Sequence, residues 1–240
     1  MSAQSNGSDF ANKLMGYLQK VDYRRADSER ERENVFQLRH EAYLQEGMIE
    51  PNPTRSLSDD YDDFKNCYIF GIYVGDDLVS SVRIHVITPE FPRGPALDVF
   101  PDIVGPLIHD EGFTILDPTR FVASPVLAKK YPELPYFTLR VASMANDYFN
   151  ADVCLATVRR EHMAFYRRTY RAEILSEPRP YPPLQKPIAI MRVNYLKNRD
   201  KIIGRYPIFD STFTERRMLF ERPQPVVQDE YPSNISTLAG

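Results

Sequence analysis

Ile115-Leu116-Asp117-Pro118-Thr119-Arg120-Phe121-Val122-Ala123 is apolar at both ends and holds an acid, a hydroxyl and a fixed cation between them. The run reads as a β-strand. Period-2 alternation places Asp117, Thr119 and Phe121 on one face and Leu116, Arg120 and Val122 on the other. Pro118 has no N–H to give to a ladder, so a bulge or a local opening of the sheet is expected there. A strand of this kind serves either as a catalytic platform or as a charged strand end.

Downstream, Ser124–Pro135 is a connection carrying Lys129 and Lys130. Leu134, Phe137, Val141, Met144 and Tyr148 then recur at helical spacing, which predicts a helix to about Phe149. Ala151–Val158 reads as a short buried strand, Arg160–Arg171 as a second helix, and Glu173–Leu175 and Pro187–Tyr195 as two last strands. The remainder is mixed, and about 222–240 reads as a tail.

Upstream, Cys67–Val74 and Leu78–Ile87 are β-rich runs joined by Gly75-Asp76-Asp77, a hairpin pattern. Thr88–Gly112 is a Pro-rich excursion. Residues 1–8 read as a polar leader and Asp9–Lys20 as a short amphipathic helix. Val21–Arg25 is a first strand. Ser28 and Glu31 form a capping-box pattern before a helix at about 29–46, with Val35, Leu38 and Ala42 facing inward. Gly47–Lys65 is a loop containing the acidic run Asp59-Asp60-Tyr61-Asp62-Asp63. Together these elements predict a mixed α/β sheet with crossover helices, which binds ligands at strand ends. The chain divides into a leader and helix at 1–20, a core at 21–195 and an extension at 196–240.

The chain of 240 residues has a net charge of −3, so no global basic field points to nucleic acid. Cys67 and Cys154 are far apart and form no disulfide framework, which fits a reducing, cytoplasmic compartment. No apolar run approaches the ~20 residues of a membrane span. His40, His85, His109 and His162 show no ligand spacing, so no metal is expected. No GxSxG or Cys/His arrangement suggests covalent catalysis.

Three stretches follow one pattern: Asp59-Asp60-Tyr61-Asp62, the strand ending Ser81-Val82-Arg83, and Asp117-Pro118-Thr119-Arg120-Phe121. They resemble the acyl-homoserine-lactone synthases, with their acidic D-x-x-D, S-V-R strand and E-x-S-R-F strand. Leu38-Arg39-His40-Glu41-Ala42-Tyr43 is similar to the L-R-x-x-x-F helix of that family. Ala164–Tyr170 resembles the YxxxGF helix end of the wider GCN5-related N-acetyltransferase (GNAT) superfamily. Asp117 and Thr119 stand where the lactone synthases have Glu and Ser, no Trp is present, and Tyr170 replaces a Gly. The nearer likeness is to the N-acyl amino acid synthases, which join a fatty acyl chain from acyl carrier protein to an amino acid such as tyrosine.

The resemblance implies a GNAT fold with a splayed sheet, and long-chain N-acyl amino acid synthesis. The donor is then an acyl-phosphopantetheine thioester, acting as substrate rather than cofactor. Backbone N–H groups near Phe121 and Val122 are the expected oxyanion donors. Asp117 would then hold or deprotonate the substrate ammonium; Thr119 would hydrogen-bond substrate, or serve only as a β-branched strand residue; Tyr166 would protonate the leaving thiolate, or pack as a core tyrosine of its helix. Arg39, Arg83 and Arg120 are expected to pair with Asp59, Asp62 and Asp117; the amino acid binds beside this cluster and Tyr43, with one Arg taking its carboxylate. A purely structural ion-pair network is the competing reading of the same residues. No glycine occurs between Gly112 and Gly204, so the Gly-rich pyrophosphate cradle of acetyl-CoA enzymes is missing. An acidic carrier protein would dock on Lys129, Lys130, Arg159, Arg160, Arg167, Arg168 and Arg171. The acyl chain would lie near Leu139, Met144 and Leu155. The rival readings are homoserine-lactone synthesis, which consumes S-adenosylmethionine, acetyl transfer from acetyl-CoA, and a catalytically silent acyl-binding module.

Overall fold

The hairpin that the alternating sequence predicts forms the middle of a larger sheet. The computed structural model describes residues 2–181 and 184–222. In chain order its elements begin with α1 (Ser2–Leu18), β1 (Val21–Arg25), α2 (Glu29–Gln45), β2 (Cys67–Val74) and β3 (Asp77–Ile87). Then follow α3 (Pro95–Val99), α4 (Pro101–His109), β4 (Ile115–Ala123), α5 (Leu134–Phe149), β5 (Val153–Val158) and α6 (Met163–Tyr170). The remaining elements are β6 (Glu173–Ile174), β7 (Arg179–Tyr181), β8 (Leu184–Val193), α7 (Tyr195–Arg205) and α8 (Phe213–Phe220). The sheet order is β1-β2-β3-β4-β5-β8-β6, with β7 pairing β8. Among the described residues only the β4–β5 pairing is parallel. This is the mixed α/β sheet expected from the order of elements.

Local chemistry accounts for several boundaries. Ser28 Oγ accepts from the Glu31 N–H while the Glu31 carboxylate accepts from the Ser28 N–H, closing the predicted capping box of α2. Asn150, in the left-handed region, ends α5. On one sheet face α5 buries Phe137, Val141 and Met144 against Phe70, Ile72, Val82 and Ile84. The other face carries α2 over β2–β4 and α3–α4 over the β4–β5–β8 side.

Some expectations are corrected. The first helix starts at Ser2, so residues 2–8 are helical rather than a leader. Leu14 of that helix is fully buried, and Phe10 packs edge-on against Tyr136 at 5.2 Å. The excursion at 88–112 holds α3 and α4, each with Pro in its first turn, where a missing N–H costs nothing. β7, α7 and α8 replace the undivided segments expected after 175 and after 195. The expected tail lies outside the described residues from 223 on. Among the described residues no helix is long and apolar enough to cross a membrane.

Candidate active site

β4 and β5 pair at only two positions, Ile115 with Val153 and Leu116 with Cys154. Both strands continue, to Ala123 and Val158, and diverge. Past Leu116 the β4 edge that faced β5 has no partner strand among the described residues, so alternate N–H and C=O groups point into the gap. A cavity of about 640 Å³ occupies this split, lined on its two sides by Pro118–Ala123 and Cys154–Arg159.

The cavity passes through the sheet. On the α5 face it is bounded by Phe121, Leu139, Ala142, Ala156 and Tyr166. On the α2 face it is bounded by Tyr43, Met48, Arg120, Leu155 and Tyr181. One compartment is chiefly apolar, and the other contains a buried guanidinium.

A bulge creates this division, and it is not where Pro118 suggests. Pro118 pairs in register with Ile84, and Thr119 with Arg83; regular pairing resumes with Val122 opposite Ser81. The extra residue falls at Arg120–Phe121, where Arg120 takes φ +52°. A non-glycine residue rarely adopts this conformation, and such strain gathers at functional sites. The bulge shifts the alternation by one. Arg120 therefore joins Thr119 on the α2 face, and so does Val122, which packs with Leu38 and Ala42. Phe121 turns to the α5 face. The simple alternation, which paired Phe121 with Thr119 and opposed Arg120, is corrected at these positions.

The charged cluster is assembled by the acidic loop. Arg39 Nη1 donates to Asp62 Oδ1 at 2.8 Å, and Arg83 Nη1 lies 3.0 Å from the same oxygen. Arg83 also pairs with Asp59, and its Nε donates to Thr119 Oγ1 at 3.1 Å. Arg120 Nη2 donates to Asp59 Oδ2 at 2.6 Å. Arg39 and Arg83 are fully buried, and Arg120 is nearly so. Burial opposes ionisation of Asp59, but Arg83 and Arg120 prevail and hold its carboxyl down at about 2. Burial likewise opposes ionisation of Asp62, and Arg39 and Arg83 hold it below the usual range. The network thus stays ionised, with Arg120 as its member on the cavity wall. The Arg120 guanidinium lies 5.4 Å from the centre of the Tyr43 ring, also a lining residue.

Asp117 does not belong to this cluster, contrary to expectation. Its side chain is fully buried away from the cavity wall, and Oδ2 accepts from the Ala96 N–H at the start of α3 at 2.9 Å. Burial pushes its carboxyl up to about 6 despite that hydrogen bond and the nearby Arg83. Opposite it in the ladder stands His85, whose Nε2 meets the Tyr61 carbonyl at 2.9 Å. Burial, reinforced by Arg83, lowers the His85 imidazole to about 4.

The other expected residues divide similarly. Tyr166 lines the cavity, half-buried, and its hydroxyl has no hydrogen-bond partner among the described residues. Burial raises its phenol well above the usual value, so it carries its proton at neutral pH. Leu139 lines the α5 compartment as expected. Met144 does not: it is fully buried and its sulfur receives Arg140 Nη1 at 3.2 Å. Leu155 lies on the opposite sheet face from Leu139, because odd-numbered β5 residues face α3–α4. Lys129 and Arg159 border the cavity, and Arg159 reaches Glu46 at 3.0 Å. Lys130, Arg160, Arg167, Arg168 and Arg171 are exposed. Tyr181, Asn146 and Tyr195 also line the cavity and were not anticipated. Only Asn146 left a sequence signal, an amide on the inward helical line Leu139–Ala142–Asn146.

The family model for N-acyl amino acid synthase FeeM matches residues 34–194. No curated protein matches the chain by sequence. Among solved structures, FeeM, an N-acyl amino acid synthase from uncultured soil microbes, superposes with a TM-score of 0.62 at 13% identity, covering 77% of this chain and 96% of that one. The CoA-dependent acyl-homoserine lactone synthase BjaI gives 0.56 at 15% identity, covering 78% and 89%. An acyl-CoA N-acyltransferase from Pseudomonas aeruginosa gives 0.50 at 18% identity, covering 72% and 99%. At these identities the likeness establishes the fold, which is that of the GNAT N-acyltransferases.

Proposed function

Because the chain belongs to the FeeM N-acyl amino acid synthase family, and is therefore an N-acyltransferase, we propose that it joins a long-chain fatty acyl group from acyl carrier protein to the amine of an amino acid. The observation that carries this reading is the cavity running through the split between β4 and β5. It connects an apolar compartment under α5 to one that presents Arg120 and Tyr43. A fatty chain fits the first and the carboxylate of an amino acid the second. The thioester then lies at the opening itself. Tyrosine is the acceptor to test first, since the rings of Tyr43 and Tyr181 flank the cationic side.

In this reaction a C–N bond forms and a C–S bond breaks. The amine gives up a proton and the departing thiolate gains one. The unpaired β4 edge near Phe121 and Val122 supplies N–H groups for the developing oxyanion. Tyr166 is the proton donor to the thiolate. Thr119, held by Arg83, and Arg120, held by Asp59, position the acceptor. Asp117 supports β4 and the start of α3.

Two features favour carrier-bound pantetheine over CoA. No glycine lies between Gly112 and Gly204, and Glu133, at the start of α5, is 3% exposed with Oε1 2.6 Å from Lys13 Nζ. The chain's own carboxylate thus sits where a pyrophosphate would seek the helix N-terminus. Exposed Lys130, Arg160, Arg167 and Arg168, with Lys129 and Arg159 at the cavity edge, suit an acidic carrier.

The test is acyl transfer by the purified protein, with acyl carrier protein donors and single amino acids, read by mass spectrometry. An N-acyl amino acid and a free carrier thiol are expected. Product that appears only with S-adenosylmethionine, or only from acetyl-CoA, would replace this reading with one of its rivals.

A further inference from the structure

The compartment on the α2 face is built partly by the way that helix ends. The Gly47 N–H donates to the Leu44 carbonyl at 3.0 Å, and the Met48 N–H to the Tyr43 carbonyl at 2.8 Å. Gly47 takes φ +61°, the left-handed conformation that this two-bond ending requires and that glycine adopts without strain. In such an ending an apolar residue after the glycine commonly meets the residue five positions earlier. Here those two are Met48 and Tyr43, and both line the cavity.

The turn is also tied to the start of β8. The Gln185 N–H donates to the Met48 carbonyl at 3.0 Å, Lys186 Nζ to the Glu46 carbonyl at 2.6 Å, and Gln185 Nε2 to Glu50 Oε1 at 2.7 Å. Both backbone polar groups of Met48 are thus engaged, one by α2 and one by β8, and the residue is buried. This holds it at the β8 end of the compartment, where Leu184 and Ile188 also line the cavity. Arg120 marks the other end, on β4. β8 stands two places from β4 in the sheet, which is at least about 10 Å at ~4.8 Å per strand. Leu155 and Thr157 of β5 line the cavity between them. Among the described residues, the remaining charged lining on this face is Arg159, paired with the exposed Glu46 at 3.0 Å.

We propose that Met48 is the specificity-determining residue for the acceptor: its side chain closes the β8 end of this compartment and is the surface against which the acceptor's own side chain packs. An amino acid whose carboxylate meets Arg120 directs its side chain across β5 toward Met48. Long or ring-bearing uncharged side chains fill that distance, small ones stop short of it, and charged ones find no partner there. This rests on the assignment of the α2 compartment to the acceptor. One methylene more or less in an apolar pocket changes selection by roughly 10–200-fold, so a single wall residue is enough to set the ranking.

The experiment is a competition among glycine, alanine, leucine, phenylalanine, tryptophan and lysine for one acyl carrier protein donor, with products separated by mass. The wild type should favour leucine and phenylalanine over alanine and lysine by roughly tenfold or more. Met48→Leu, of similar volume, should keep that ranking. Met48→Ala should move use toward tryptophan relative to leucine, and Met48→Trp toward glycine and alanine relative to phenylalanine, each by about tenfold. If those two variants fail to fold, Leu184→Ala takes their place, with the shift expected of Met48→Ala. Substitutions that lower every acceptor alike would mark the wall as structural only and overturn the proposal, as would a wild type that uses lysine as readily as leucine. If no acceptor is acylated, acyl transfer itself is refuted. Equilibrium binding of N-acyl-tryptophan against N-acyl-leucine then decides the wall separately, a shift toward the first in Met48→Ala or Leu184→Ala supporting the proposal and an unmoved ratio overturning it.

Discussion

Arg120 Nη2 and Asp59 Oδ2 are 2.6 Å apart, joining a bulged, left-handed position in β4 to the acidic loop that follows α2. The pair fixes one wall of the cavity. It also places the loop, since Asp59 and Asp62 share Arg83.

Asp59→Asn would leave Arg120 buried without its carboxylate partner and Arg83 with only Asp62, which it shares with Arg39. Breaking a buried pair costs about 3–5 kcal/mol, and the 21% exposure of Asp59 places this case at the low end. Urea unfolding should show a loss of about 3 kcal/mol, with a parallel fall in amino-acid affinity. A loss under ~1 kcal/mol, the range of an exposed pair, would mean that the loop is held by other contacts.

Tyr166→Phe removes a hydroxyl that has no partner among the described residues, so the fold should be unaffected. Loss of a proton donor to the leaving group should lower kcat about 100-fold with KM little changed. A donor whose thiol is more acidic should recover part of the rate. An unchanged kcat would remove Tyr166 from the mechanism.

His85 and Asp117 face each other and titrate with opposite consequences. The Asp117 carboxyl rises to about 6, so its contribution is full below the unfolded value near ~4 and is lost as pH rises through 6. The His85 imidazole falls to about 4, so its contribution is present above the unfolded value near ~6.5 and is lost as pH falls through 4. Each amounts to at most about 3 kcal/mol, and between pH ~4 and ~6 they largely cancel. Wild-type stability from these groups should be nearly flat there. Asp117→Asn should make stability climb with pH, and His85→Gln should make it decline. Parallel profiles in all three proteins would show that the pair does not titrate in this way.

Charge reversal at Lys129 and Arg160 should raise KM for carrier-bound donors roughly tenfold, and more at low salt, while a small soluble thioester is used as before. An equal effect on both donors would place these residues in the acyl site instead of a carrier surface.

Much of this arrangement is legible in the sequence. Alternation locates β2, β3 and β4 and helical spacing locates α5; the resemblance to the lactone synthases points to the pairing of Arg39, Arg83 and Arg120 with Asp59 and Asp62, though not to the separation of Asp117 from them. The position of the bulge was not legible. Arg120 has no local feature that demands a positive φ; the conformation occurs together with the Arg120–Asp59 pair and the packing of Phe121 on the α5 face, both of which are tertiary. Once the bulge shifts the register, sequence parity misplaces Phe121 and Val122. Helices α3 and α4 are hidden by prolines, Pro95 and Pro101 at helix starts, where they are tolerated, and Pro106 inside α4. Met144 on α5 and Leu155 on β5 are apolar residues of the helix and of the strand it faces in sequence order, but Met144 is packed into the core and β5 alternation sends Leu155 to the other sheet face. Which face a core residue serves is decided by tertiary pairing.

A crystal structure of the protein with an N-acyl amino acid tests the central claim most directly. The account predicts the amide at the gap between β4 and β5, the alkyl chain along Leu139 and Ala142, and the carboxylate within hydrogen-bond reach of Arg120. A product lying wholly on one side of the sheet, or bound outside the split, would contradict it.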